Sequence, residues 1–464
     1  MPLPLRTGAA ALSALALCAC QSYERRPLDL AAHRDAWTAR SPHDESVAAF
    51  AARLAGHSSA AEQRAPFDPT DGLSLPEAEA VALVYNPDLR LARLRADVAL
   101  AGARYAGLWE DPVLGVDLER IVKSVDHPWV IGATLGITIP LSGRTSVERD
   151  HATAEHRAAL ARVAEQEWQT RIALRRAWLE WSAQTVRVEL ARDLLDRIAA
   201  VVQIVDRLEQ AGELSRIEAR VFRAEHASRR ADLRDLEAAA AEMQLTLRSL
   251  MGLSPRAPLD LVPAPLLAAA PAETPEIAEI SPTLATLRAE YDAAEEALRL
   301  EIQKQYPDLV IGPGYGEEDG DGRVLLGLSI PIPLWNRNQR AIAEAAAQRD
   351  LARAAFETEY ERLSAQLAAA RVRLEAATHR RQLLESEAVP LAQTQETEAQ
   401  RVAALGQVDA PLMLDTLTRL YDVKSALLDA RLAEALAALR IEELLGPALA
   451  PEAARTEPAP GDVQ

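Results

Sequence analysis

The chain is poor in the residues that carry chemistry. It holds two cysteines, four methionines and eight histidines in 464 residues. Both cysteines, Cys18 and Cys20, sit near the N-terminus, so no disulfide is available further along. His151 and His156 are five apart, which takes them off one helical face, and no HExxH motif is present. Methionines without a cluster give no soft site for Cu(I). Gly312, Gly314 and Gly316 alternate along a strand pattern, where small residues let a neighbour approach, and do not form a phosphate loop. No nucleophile–base arrangement stands out. The expectation is a protein that is not an enzyme, with no catalytic residue, no resident metal and no cofactor other than a covalent lipid.

Other absences bound the fold. Aromatics are only 4% of the chain, too few for three ordinary cores in a chain of this length. Ala and Arg dominate the long segments, the bias of extended helices. The net charge of −18 argues against nucleic acid as a partner, since binding it normally needs a basic face. Beyond the N-terminus no run approaches about 18 consecutive apolar residues, so no transmembrane helix is expected.

What is present begins with a targeting segment over residues 1–19. Arg6 supplies a positive start, and Ala9 to Ala19 is an apolar stretch too short to span a bilayer. Leu17–Cys18–Ala19–Cys20 resembles a bacterial lipobox, with Leu three before Cys20 and a small residue directly before it. Cleavage there would leave Cys20 as the lipidated N-terminus. Gln21 follows, and the Asp associated with inner-membrane retention is absent from that position, so the resemblance implies the outer membrane. Residues 20–72 read as an irregular N-terminal arm.

The rest of the chain says the same thing twice. Arg207, Gly212 and Ser215 answer Arg401, Gly406 and Asp409; Gly252 answers Gly446; Asn86–Pro87 answers Ser281–Pro282; Ile139–Pro140–Leu141 answers Ile332–Pro333–Leu334. These pairs share an offset of roughly 194 residues, the mark of an internal duplication. Repeat 1 spans 73–252 and repeat 2 spans 281–446, joined by a Pro- and Ala-rich linker at 253–280. A disordered tail is expected over 447–464.

Each repeat opens with helix, passes through two strands and ends in a long helical hairpin. Helix starts at Pro76 and again at Asn86–Pro87, reaching about Leu108. In Trp129–Pro140 the residues Trp129, Ile131, Leu135, Ile137 and Ile139 alternate with Val130, Gly132, Thr134, Gly136 and Thr138, which is strand periodicity. The preceding segment sets Leu114, Val116 and Leu118 against Asp117 and Glu119. The hairpins are placed at about 113–140 and about 309–334. In the second, Leu309–Gly316 is followed by a turn over Glu317–Gly322 and a strand over Arg323–Leu334 in which Arg323 shares the polar face. From Arg144 to Gln210 there is no Pro or Gly, and Leu190, Leu194, Ile198, Val201, Val205 and Leu208 form a heptad-like seam. Repeat 2 runs helical from Gln339 to Leu405, with Pro390 expected to kink or split it.

Four strands cannot close a barrel, and open sheet edges are not tolerated in lipid. Strands of this length suit an outer membrane only if several chains share one barrel; three would give twelve strands. Trp109, Trp129 and Trp335 stand near strand ends, where interfacial aromatics belong, whereas Trp168, Trp178 and Trp181 sit in mid-helix as packing residues.

Taken together over residues 73–446, the duplication, Asn86–Pro87, Ile137–Arg144 (ITIPLSGR), Ser329–Gln339 (SIPIPLWNRNQ) and the two Gly-bearing tips resemble the outer membrane efflux proteins, the TolC-like exit ducts of tripartite exporters. Pro331–Gln339 is similar to the heavy-metal branch, the CzcC-like and CusC-like lipoproteins. The resemblance implies a mainly α fold with a small membrane β part. Duplicated helical hairpins and two β-hairpins per chain would trimerise into a 12-stranded β-barrel continued by a periplasmic α-barrel. It implies an outer-membrane homotrimer passing heavy-metal cations, or drugs, outward. A periplasmic adaptor would meet the tips, and an inner-membrane pump of the RND type would drive transport. Arg207, Gly212, Ser215, Arg401, Leu405, Gly406 and Asp409 are then the tip candidates for adaptor contact or gating, and Asp117, Glu119 and Arg323 the lumen-facing strand candidates. Two readings stay open beside it: a duct for type I protein secretion, and a lipid-tethered periplasmic coiled-coil scaffold that never spans the membrane.

Overall fold

The computed structural model describes residues 23–57, 67–120, 122, 129–266, 277–318, 321–405 and 409–447. The targeting segment, Cys20, Gly406 and nearly all of the tail lie outside the described residues.

Two short helices come first, α1 (Leu30–Thr38) and α2 (Glu45–His57), where an irregular arm was expected. The reason is visible in the spacing of Val47, Phe50 and Leu54, and Val47 is fully buried in the main core. Asp29 caps α1 by accepting from the Ala32 amide at 2.9 Å.

Helix α3 (Leu75–Tyr85) starts in a capping box between Ser74 and Glu77 and has Pro76 in its first turn. Asn86 ends α3 and begins α4 (Pro87–Tyr105). Its side-chain oxygen accepts from the amides of Asp88 and Leu89 at 3.0 Å, and its amide group donates to the Leu250 carbonyl at 2.8 Å. The chain then forms β1 (Val113–Arg120) and β2 (Trp129–Ile139), followed by α5 (Arg144–Ala211) and α6 (Arg216–Leu250). Repeat 2 follows the same plan with α7 (Ile277–Ile280), α8 (Pro282–Gln303), β3 (Leu309–Glu318), β4 (Asp321–Ser329), α9 (Gln339–Leu383), α10 (Val389–Ala404) and α11 (Ala410–Leu445).

Helix α5 is one uninterrupted rod of 68 residues, about 100 Å long. Its seam is buried as the periodicity requires: Leu194, Ile198, Val201 and Val205 pack with Phe222 of α6 and Leu417 of α11. Pro390 interrupts the α-helical hydrogen bonding, dividing the run into α9 and α10 without ending it. Leu384–Ala388 form a π-turn between α9 and α10, whose longer hydrogen-bond step accommodates a proline ring and its missing donor.

The main core lies mid-length, where Trp178 and Trp181 meet edge to face at 5.6 Å among Leu73, Val81, Leu174, Leu247 and Met251. Residues 253–266 are built into this core, contrary to their reading as linker. Leu253, Ala257 and Leu261 are buried in it, Leu261 bridges to Leu73, and the Val262 carbonyl accepts from the Trp178 indole at 3.2 Å.

The signs of duplication meet in space. At each repeat's closing glycine the backbone turns with positive φ and presses on the Pro-containing opening of the same repeat. A Cβ on Gly252 (φ +69°) would lie 2.0 Å from the Tyr85 carbonyl oxygen, and one on Gly446 (φ +87°) 2.6 Å from that of Ile280.

Candidate duct wall and periplasmic tips

The four strands form one antiparallel sheet in chain order, β1-β2-β3-β4. The register sorts its faces. One transverse row reads Asp117, Gly132, Gly316, Arg323 and the next Gly115, Thr134, Gly314, Leu325. Between them runs Val116, Ala133, Tyr315, Val324, flanked by Leu118 and Ile131 and by Ile137, Ile311 and Leu328. The sheet therefore has one small and polar face and one apolar face. The register places Asp117, Glu119 and Arg323 together on the polar side, as their alternation predicts; Val113, Val130, Val310 and Leu325 are apolar exceptions there, and Glu317 is a charged one on the other face.

Among the described residues nothing covers most of the apolar face: Val324 is 86% exposed. Such a patch marks a surface that another phase or another chain covers. Pairing in the second hairpin continues to Glu318 and Asp321, so its turn is tighter than the expected Glu317–Gly322. Strand β4 stops at Ser329, short of Leu334, because Pro331 and Pro333 cannot donate to a ladder.

Aromatic side chains collect where sheet meets helices. Tyr105, Trp109, Tyr306 and Trp335 are all exposed there, while Trp129, at the far end, lies under the Arg120 guanidinium at 5.4 Å. Behind the aromatics the neck is knitted by charge. Arg144, in the first turn of α5, reaches Glu110 at 3.1 Å and Asp308 at 3.2 Å, and Arg149 donates to the Gly107 carbonyl at 3.0 Å. Asn338 takes a left-handed conformation at the start of α9 and donates to the carbonyl and carboxylate of Glu301 at 2.8 Å. The Trp335–Gln339 motif thus shapes the turn from sheet to helix.

Helices α4, α5, α8 and α9 continue the four strands as a wall. They enclose a trough of about 860 Å³ lined by alanines and by Arg95, Glu155, Arg162, Glu165 and Glu290. Arg162 pairs with Glu290 at 2.7 Å. Lower down, Arg175 of α5 joins Glu79 of α3 at 2.5 Å and Glu442 of α11. Burial works against its charge, but the two carboxylates outweigh that and raise its pKa above the usual arginine value.

At the first tip Gly212 adopts φ +77° and ends α5, with its amide donating to Glu209 and that of Glu213 to Leu208. Ser215 caps α6: its hydroxyl accepts from the Glu218 amide at 3.3 Å and its own amide donates to the Glu218 carboxylate at 3.0 Å. These bonds hold Glu218 below the usual carboxylate range. Asp409 does the same service for α11, accepting from the Leu412 amide at 3.0 Å. Leu405 is 79% exposed and Arg401 is exposed beside it. Arg207 only reaches back to the Gln203 carbonyl at 3.3 Å. The residue that clamps this hairpin is Arg223, which sequence reasoning missed. It bonds Asp206 at 2.6 Å and Glu209 at 2.5 Å, and these raise its pKa. Reading α5 and α6 as antiparallel partners about the Gly212–Ser215 turn would have found it, since Asp206 lies six residues before that turn and Arg223 eight after it.

Among the described residues no group of three His, Cys, Asp or Glu side chains is placed to hold a metal, and no described helix is long and apolar enough to cross a membrane.

A split-face sheet continued by a wall of very long helices defines the class of outer-membrane exit ducts. The chain belongs to the outer membrane efflux protein family, whose model matches residues 80–253 and 275–447. It is 27% identical over 295 residues to the cobalt-zinc-cadmium resistance protein CzcC of Cupriavidus metallidurans, covering 62% of this chain and 69% of that protein. Its fold is that of the outer-membrane channel OprN (TM-score 0.70, 19% identity, 92% of this chain and 98% of that one). It is likewise that of CusC (TM-score 0.68, 16% identity, 80% and 92%) and of VceC from Vibrio cholerae (TM-score 0.66, 17% identity, 80% and 96%). The protein is an outer-membrane exit duct of an efflux system.

Proposed function

We propose that three copies close one 12-stranded barrel in the outer membrane, its apolar face toward lipid and its polar face around a lumen, continued by a tube of helices through the periplasm. The observation that carries this is the sheet itself. Among the described residues its apolar face is largely uncovered, and β1 and β4 each pair along one side only. In lipid those free edges must be paired by further strands, and the ring of twelve leaves a water-filled passage. The trough between α4, α5, α8 and α9 becomes part of the tube's inner wall. Extraction of outer membranes, native mass determination and planar-bilayer conductance test the reading. A trimer with stable pores is expected; a non-conducting monomer would overturn it in favour of a tethered scaffold.

The cargo we infer is heavy-metal cations, on the likeness to CzcC and the carboxylates of Asp117 and Glu119 on the polar face. Their joint replacement, Asp117→Asn with Glu119→Gln, is expected to lower cation preference, read as a shift of reversal potential in a salt gradient; an unmoved potential removes them from the lumen. The duct is passive and does no catalysis. A periplasmic adaptor and an RND-type pump supply direction and energy.

We assign adaptor contact or gating to the tips around Arg207, Gly212, Ser215, Arg401, Leu405, Gly406 and Asp409. Gly406→Arg is expected to abolish metal resistance while leaving the trimer intact; normal resistance would take the contact elsewhere. Cys20 carries the lipid. Cys20→Ala is expected to lose all metabolic labelling by palmitate, and retained label would refute that assignment.

A further inference from the structure

Helix α1 buries none of its residues, yet it is held firmly in place. Just after it, Arg40 donates to the Gly252 carbonyl at 2.8 Å and lies over the Tyr85 ring at 5.3 Å, and Val47 anchors α2 in the core. Between α1 and α4 this leaves a cleft of about 690 Å³. Leu30 and Trp37 line it from one side, Leu91 and Leu94 from the other.

The α4 side of the cleft belongs to a longer feature. Leu91, Leu94, Val98 and Tyr105 recur at heptad spacing and are 52%, 49%, 73% and 71% exposed. Buried Leu89 and Ala96 lie on the opposite side of α4, and neighbouring Arg93 pairs with Glu167 of α5. The stripe therefore runs along the free β1 edge of the wall, with Val98 also at the margin of the trough. Helix α9, at the β4 edge, has a matching exposed row, Leu351 among the smaller Ala347, Ala354 and Thr358, at steps of four, three and four.

Level and charge also correspond. Val98 and Leu351 line the same trough, and α4 climbs where α9 descends. Seven residues, about 10 Å of helix, lead from Val98 down to Leu91 and from Leu351 down to Thr358. A rotation axis along the duct preserves level, so the cleft of one copy stands opposite Ala354–Glu361 of the next. Arg40 and Arg90 give the cleft positive charge, with His33 and Arg34 at its margin, the latter paired to Asp35 at 3.0 Å; Arg90 is close enough to work against the Arg40 charge, second to burial. The facing stretch of α9 presents exposed Glu361 and Glu357, the latter 4.0 Å from the equally exposed Arg353.

We propose that the cleft between α1 and α4 receives α9 of the neighbouring copy around Ala354–Glu361, so that the N-terminal segment straps the subunit boundary. The inference rests on the multi-copy duct and adds a contact beyond edge pairing. The wall helices seal the tube, and the strap holds them from outside, through a segment that begins at the lipid-bearing end of the chain.

Two differently tagged copies are co-expressed, one carrying Arg34→Cys and the other Glu357→Cys, and treated with a short thiol crosslinker. The single cysteines make any covalent product bearing both tags an inter-subunit one. A parallel pair, Val98→Cys with Leu351→Cys, reports wall packing alone, and chains without added cysteines report background from Cys20. Doubly tagged product from both pairs, above background, is the expected result. Product from the wall pair only would overturn the strap while leaving the duct standing. Product from neither would overturn the multi-copy assembly and the strap with it.

Discussion

Gly252→Ala is expected to keep the chain from its native assembly. The new methyl would sit 2.0 Å from the Tyr85 carbonyl oxygen and 3.1 Å from the Asn86 nitrogen. Both are backbone atoms fixed by the α3–α4 elbow, where Asn86 is bonded to Asp88, Leu89 and Leu250. No rotamer change relieves such a contact. The positive φ adds its own cost for any residue with a Cβ. Overpacking and backbone strain together come to about 3 kcal/mol or more, a large part of a typical margin of stability. Gly212→Ala is the matched comparison. Its φ is +77°, but nothing lies within 4 Å of the added carbon, so only the conformational cost of about 1 kcal/mol applies. The measurement is yield in the outer membrane and thermal unfolding in detergent. Loss of assembled protein for Gly252→Ala beside near-normal Gly212→Ala is expected. Equal behaviour of the two would show that the elbow yields, and the reading of Gly252 and Gly446 as closing points of the repeats would fail.

That contrast shows what could be read in the sequence. Gly212 and Gly252 are both plain as helix stops, because a break after a long periodic run is a local signal. Only packing distinguishes the solvent-facing stop from the one pressed against another backbone. The strands were readable because alternation of Ile131, Leu135 and Ile137 with Gly132 and Thr134 is also local. The two hairpins followed from the repeat, whereas the β2–β3 pairing and the position of Asp117 and Arg323 on one row came only with the register. Val47 and residues 253–266 were not readable. Polar and Pro-rich composition suggested loose segments, whereas a few apolar residues in each suffice to join a core formed by distant helices. The charge clusters were hidden for a similar reason. Arg175 meets Glu79 and Glu442 across 96 and 267 residues of sequence, and no spacing rule reaches that far.

The long-range cluster predicts the second large effect. Arg175→Ala is expected to destabilise the chain by about 3–5 kcal/mol, the range for removing one partner of a buried ion pair. The Glu79 side chain is only 7% exposed, so without the guanidinium its charge stays in a poorly solvated place between α3 and α5. Glu442 is 42% exposed and can turn to water, so the loss falls mainly on Glu79. This asymmetry makes the argument separable. If uncompensated charge is the cause, Arg175→Met combined with Glu79→Gln should recover much of the stability lost in Arg175→Ala. Arg175→Met with Glu442→Gln should recover little. Chemical unfolding monitored by helical signal distinguishes them, with the double mutants read against their single changes. Equal recovery by both would mean that Arg175 acts by filling space and not by neutralising Glu79. In the native chain, the single guanidinium ties the first helix of repeat 1 to the last helix of repeat 2 through α5. Other arginines of α5 also pair with repeat 2, among them Arg162, Arg176, Arg187 and Arg197, but Arg175 holds a carboxylate of each half at once.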